Sequence, residues 1–168
     1  MTVSVIFQGV RADDGELDAA FEHYGAAKSS VEIVYGETRF VLNNELTREA
    51  LRNQKPIAIG ECIAVALDAG DGIATVVHAG ARAICHITGA EGDAPARLRN
   101  AALHSDLLIF GGAWADGLRF KHALCARLLA IIDHPVECTD VELAATAAEV
   151  AALHPDVFFA RSGCKLDL

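Results

Sequence analysis

The sequence predicts an α/β fold: a single-domain, three-layer sandwich around a mostly parallel, Rossmann-like sheet of about five strands. Three observations carry this. Apolar segments of strand length alternate along the chain with segments of helical period. Ile63–Leu67 and Ala81–Ile87 lack the polar alternation of a half-exposed strand, as expected where helices cover both faces of a sheet. Leu107–Phe110 is apolar throughout and stops at Gly111-Gly112. A chain of 168 residues is long enough for one sizeable core and too short for two ordinary domains. The expected organisation is one domain over 1–168, with a core at 1–132 and an added C-terminal helix and tail at 133–168.

Val3–Gln8 alternates as a first strand, and Asp13-Asp14-Gly15-Glu16 then supplies acidic residues to the start of a helix. Leu17, Ala20, Phe21 and Tyr24 share one face of that helix and Gly25 ends it. Val31–Tyr35 is a second strand by its β-branched content; Gly36-Glu37-Thr38 leads either into a loop or into a partner strand, Arg39–Leu42. Asn43 or Asn44 caps a short helix through Asn53, closed by Lys55-Pro56.

Gly60–Gly89 admits two foldings. In one, Cys62–Leu67 is a strand, Asp68–Gly72 a loop, Ile73–Gly80 a short crossover helix and Ala81–Ile87 the next parallel strand. In the other, which makes the fold α+β, the same residues form an antiparallel meander, favoured by Thr75-Val76-Val77 and by the Asp71-Gly72 pair. The missing alternation favours the parallel folding.

Asp93-Ala94-Pro95 starts a helix with Leu98, Ala101 and Ala102 as its apolar stripe. From Leu118 to Ile132, apolar residues at 120, 124, 125, 128, 129 and 132 keep a helical period, and Asp133-His134-Pro135 stops it. Thr139-Asp140-Val141-Glu142 has capping-box spacing for a last helix to about Leu153, and Asp156–Leu168 is a strand or a docked tail.

With 23 acidic and 14 basic residues the formal charge is −9, which opposes binding to nucleic acid or an anionic membrane. No apolar run approaches the roughly 20 residues of a membrane span, and Met1–Phe7 has no basic start of a signal peptide, so a cytoplasmic protein is expected. Five cysteines without a CxxC pair suit reduced thiols. The 52% apolar content, much of it Ala, suits a homo-oligomer, dimer or tetramer. No dinucleotide, P-loop or serine-elbow motif occurs, and no cofactor is expected.

Several stretches resemble the ribose-5-phosphate isomerase B and galactose-6-phosphate isomerase family. "VSVIFQGVRADDGEL" resembles its first strand and loop, "VEIVYGET" its second strand, "GDGIATVVHAGARA" its glycine-rich loop, helix and strand, and "LRNAALHSDLLIFGGAW" its helix, His-Asn corner and fifth strand. The position of the family's catalytic cysteine falls near Asp68, its Asp-His pair on Ala12-Asp13, and its His-Asn corner on Asn100 and His104; its C-terminal Gly-Gly-Arg-His has no counterpart. The resemblance implies aldose–ketose proton transfer on a small phosphorylated sugar or polyol. The rival expectations are a non-catalytic small-ligand or nucleotide-binding module and an oligomeric structural protein.

In a parallel sheet, ligands sit outside the C-terminal strand ends, which singles out Asp68-Ala69-Gly70-Asp71-Gly72, where two glycines open backbone N–H groups beside two carboxylates. A carboxylate in a dry pocket has its pKa raised toward that of a working base. The candidate catalytic residues are Asp68 as base and His104 for ring opening. Candidate binding residues are Asp13, Thr88 and Asn100 for hydroxyls, Gly70, Asp71 and Gly72 in the loop, and Arg11 or Arg82, with Arg161 a further choice, for phosphate. His122, Cys125, His134 and Cys138 make a metal site only if all four converge, and none is expected. Cys85 and His86, adjacent on a strand, point to opposite faces and cannot form a dyad.

Overall fold

The computed structural model describes residues 1–11, 29–42, 55–135 and 137–168. The helices expected from Asp13 and from Asn43 lie outside them. Among the described residues eleven strands and three helices follow in order. The strands are Val3–Gly9 (β1), Ser30–Tyr35 (β2), Thr38–Leu42 (β3), Ile57–Ile59 (β4), Cys62–Asp68 (β5), Ile73–Ala79 (β6), Arg82–Thr88 (β7), Leu107–Gly111 (β8), Leu128–Ile132 (β9), Val157–Phe159 (β10) and Cys164–Asp167 (β11). The helices are Ala96–Ala102 (α1), Trp114–Leu124 (α2) and Asp140–Leu153 (α3).

One sheet has the order β11-β1-β2-β3 and is antiparallel throughout. The other has the order β10-β9-β8-β7-β6-β5-β4, antiparallel from β4 to β7 and parallel from β7 to β10. Each parallel step is made by a helix, and successive crossovers of the usual right hand in one direction put all three helices on one face. On that face Gly117 of α2 lies over Phe110, Leu129 and Ile131, whose side chains leave no room for a Cβ. The opposite face carries Ile109, Ala130 and Phe158, and Phe158 meets Phe7 of β1 edge to face at 6.2 Å. The first sheet therefore covers this second face, and the core lies on both sides of the seven-stranded sheet. Phe7, Phe110 and Phe120 are fully buried, each contributing about 1.5–3 kcal/mol of hydrophobic stabilisation.

The parallel Rossmann-like sheet expected from the sequence is thus corrected to two facing sheets, one of them mixed. Within Gly60–Gly89, residues 73–79 are not a helix: they pair antiparallel with β5 (Val65↔Val76) and with β7 (Val76↔Cys85). The cause of the misreading is physical. Ala64, Val77 and Ile84 on one face and Leu67, Val76 and Cys85 on the other are all buried, so most of the alternation that marks a meander is erased. A two-residue turn at Gly80-Ala81, with Gly80 at φ +60°, joins β6 to β7 and presses its tip on the Tyr35 ring of the first sheet.

The single helix expected over Leu118–Ile132 is also corrected. It ends at Leu124, Cys125 takes the left-handed conformation (φ 49°) with its N–H bonded to the His122 carbonyl, and 128–132 become the strand between β8 and β10. A five-residue apolar run has no period of its own, so it prolonged the helical pattern on paper. The last helix runs Asp140–Leu153 with a complete capping box between Thr139 and Glu142. The tail supplies β10 and β11. Among the described residues no helix is long and apolar enough to cross a membrane.

Candidate functional site

The parallel strands β7, β8 and β9 end side by side, at Thr88, Gly111 and Ile132. Backbone leaves each strand sharply: Gly89 (φ 67°), Gly112 (φ 141°) and Asp133 (φ 58°) all have positive φ. Asp133 is the one that is not glycine, and aspartate is among the few other residues that adopt the left-handed conformation readily.

The Asp133 carboxylate folds back over β8. A Cβ on Gly111 would stand 2.8 Å from Asp133 Cγ and 3.3 Å from Thr88 Cγ2, so only glycine fits beneath. Ser29, at the entry to β2, donates its hydroxyl hydrogen bond to Asp133 Oδ1 from the other sheet. Ser29, Thr88, Gly111 and Asp133 thus form one polar corner between the two sheets.

Beside this corner stands His134, 2% exposed. Its Nε2 donates to the Ala160 carbonyl at 3.0 Å and its ring stacks on Phe159. Burial pushes the His134 pKa down to about 4, with the nearby Arg11 acting in the same direction. Arg11, 1% exposed, donates through Nη1 to the carbonyls of Pro135 (2.8 Å) and Cys138 (2.7 Å) and through Nη2 to the Asp140 carboxylate (3.1 Å). Two residues in from Thr88 on the same face, His86 faces the first sheet; its Nε2 is buried without a hydrogen-bond partner, and burial lowers its pKa to about 4. Cys85, facing the helices, has its thiol pushed up to about 12 by burial.

The residues singled out from the sequence divide between the two ends of the seven-stranded sheet. Asp68, Gly70, Asp71 and Gly72 form the β5–β6 turn at the Thr88 end; Asp68 is exposed and its Oδ1 accepts from the Gly70 N–H at 2.9 Å, as in an Asx turn. Gly72 packs on the backbone of Gly89 and Ala90. Arg11 also reaches this end, through the bridge to His134, but as a buried structural cation. Arg82 begins β7 at the other end, bonded to Asp106 at 2.7 Å, and His104 lies in the turn before β8. Asn100 is exposed on α1, and Asp13 lies outside the described residues. Asp133 and Ser29 were not singled out. The available signal was Asp133-His134-Pro135 after a short apolar run, which reads as a strand-end loop once the run is taken as a strand.

A second cleft, about 720 Å³, opens at the far end of the sandwich between the turns Gly36-Glu37 and Gly60-Glu61, beside Met1 and Arg39. It shares no residue with the polar corner.

The two facing sheets with helices outside the larger one match solved structures over the whole chain. The metallo-β-lactamase fold protein YhfI from Bacillus subtilis superposes with a TM-score of 0.70 at 10% identity, covering 100% of both chains. The fold is the metallo-β-lactamase fold. A diphosphatase from the PhnP family gives 0.69 at 10% identity, over 100% of this chain and 98% of that one. Igni18, a metallo hydrolase from the hyperthermophilic archaeon Ignicoccus hospitalis, gives 0.60 at 8%, over 100% and 99%. No protein-family model and no curated protein matches the chain.

These matches overturn the likeness to the ribose-5-phosphate isomerase B family, and with it the expected isomerisation of a sugar phosphate. The stretch "GDGIATVVHAGARA", read as loop, helix and parallel strand, is the β6–β7 hairpin, so the order of elements on which the likeness rested is not present.

Metallo hydrolases of this fold imply a resident metal, and the donor set can be tested against one. A catalytic zinc takes three protein ligands from His, Cys, Asp and Glu. Among the described residues no three such groups converge. Along the whole chain the histidines stand at 23, 78, 86, 104, 122, 134 and 154, so no two are closer than eight residues. His134 donates its Nε2–H to the Ala160 carbonyl, and Asp140 is paired with Arg11. The described residues do not fit a metal centre.

Proposed function

We propose that this chain works as a binding member of the metallo-β-lactamase fold and not as a metal-dependent hydrolase. The observation that carries the reading is the donor set: among the described residues no three His, Cys, Asp or Glu side chains converge as a metal centre requires. What remains at the corner is hydrogen-bonding chemistry. A carboxylate, two hydroxyls and the glycine backbones of residues 89 and 112 suit a small ligand rich in N–H or O–H donors. Electrophile activation has no counterpart among these groups.

The test combines metal analysis of the purified protein with hydrolysis of bis(4-nitrophenyl) phosphate and inorganic diphosphate, each with added zinc or manganese. The reading expects sub-stoichiometric metal and no turnover above the metal-only control. Stoichiometric metal together with turnover would establish the second reading, a metallo hydrolase, which is favoured by the end-to-end fold match to a diphosphatase.

A further inference from the structure

The polar groups around Arg11 resemble the shell of a bound ion. Two backbone carbonyls and one carboxylate are the oxygen donors a hard cation takes, and here they converge on a guanidinium from Pro135, Cys138 and Asp140. The same residue ties further segments together through its backbone. The Ser29 N–H donates to the Arg11 carbonyl at 2.8 Å, the His134 N–H donates to the Val10 carbonyl at 2.9 Å, and Arg11 and His134 form a parallel bridge. The guanidinium therefore ties the loop after β9 to the start of α3, while the backbone at Val10 and Arg11 ties the exit of β1 to the entry of β2 and the exit of β9. Arg11 is among the largest fully buried side chains of the protein.

We propose that the Arg11 guanidinium is a built-in cation that organises the strand-end corner, taking the structural part a metal ion would otherwise play. The inference rests on the metal-free reading above and adds to it: the guanidinium holds the Pro135–Asp140 segment that follows His134, and His134 is positioned through it. Arg11 is a positioning residue and touches no substrate. A planar fork with five donors spans three acceptors at fixed angles, which the single ammonium of lysine cannot reproduce.

The first measurement is the melting temperature of the full chain with and without EDTA, alongside its metal content. No change with EDTA is expected; a fall, or stoichiometric metal, sinks the metal-free reading itself. The second compares Arg11→Ala, Arg11→Lys and Asp140→Asn. Breaking a buried, hydrogen-bonded charge pair is expected to lower Tm by about 6–20 °C in each, and in Arg11→Ala the loss is expected to be partly reversed by millimolar ethylguanidinium but not by ethylammonium or urea. Wild-type Tm in all three variants, or recovery with urea as large as with ethylguanidinium, overturns the role of Arg11 while leaving the metal-free reading standing. Where Arg11→Ala fails to fold, Arg11→Lys and Asp140→Asn decide: a fall in both supports the proposal, and no fall in either refutes it.

Discussion

Replacing Gly111 by alanine tests the geometry of the corner with one methyl group. The added carbon would stand 2.8 Å from Asp133 Cγ and 3.3 Å from Thr88 Cγ2, where carbon atoms prefer about 3.5–4 Å. Thr88 ends a strand held on both sides, so the Asp133 carboxylate must give way and leave Ser29. Overpacking of this kind costs about 1–3 kcal/mol, and a hydrogen bond to a charged group contributes about 1.5–3 kcal/mol. A loss of about 3–5 kcal/mol is expected, or about 6–20 °C in Tm for a chain of this size. The assay is urea denaturation of the single and double variants of a cycle with Asp133→Ala. Without the carboxylate the methyl group has room, so Gly111→Ala should cost less than about 1 kcal/mol in that background. An undiminished cost would refute the placement of Asp133 over β8.

Acid should weaken the fold at a defined place. His86 and His134 have native pKa values of about 4 against 6.5 when unperturbed, so between those values the unfolded chain takes up protons the native state refuses. Stability is then full above about pH 6.5 and falls by about 3 kcal/mol per histidine as the pH drops to about 4, measurable by urea denaturation across that range. His86→Leu removes the unpartnered Nε2 and should leave stability at pH 7 unchanged or raised by about 1–3 kcal/mol, with a shallower acid limb. Cys125→Gly places glycine at a left-handed helix end (φ 49°) and should stabilise by about 1 kcal/mol in thermal or chemical denaturation. Thr139→Ala removes the side-chain acceptor of the capping box and should cost about 1 kcal/mol by the same measurement.

What could be read from residue order and what could not divide along one physical line. Val3–Gln8, Val31–Tyr35 and the Thr139–Glu142 cap announce themselves through alternation or a specific side-chain bond, and they appear where expected. The meander at Cys62–Thr88 hid because both its faces carry buried apolar side chains, leaving no polar face to count. The break after Leu124 hid because the residue in the left-handed position is Cys125 and not glycine, so no punctuation separates α2 from β9. The site followed the same fate. The loop Asp68–Gly72 was visible as glycine and carboxylate, whereas Asp133 bonds Ser29, 104 residues earlier in the chain. A long-range hydrogen bond between short polar residues leaves no local pattern.

The change of direction at β7 also bears on how the molecule is made. Strands β4 to β7 meet neighbours only a turn away in sequence, so this half of the sheet can close early and cheaply. The parallel half must await a crossover helix for each added strand, and until Leu107–Gly111 docks, β7 presents a bare row of amide and carbonyl groups. That row is a template any extended segment can copy, which makes the interval before β8 arrives the period in which this chain is most exposed to pairing with a stranger.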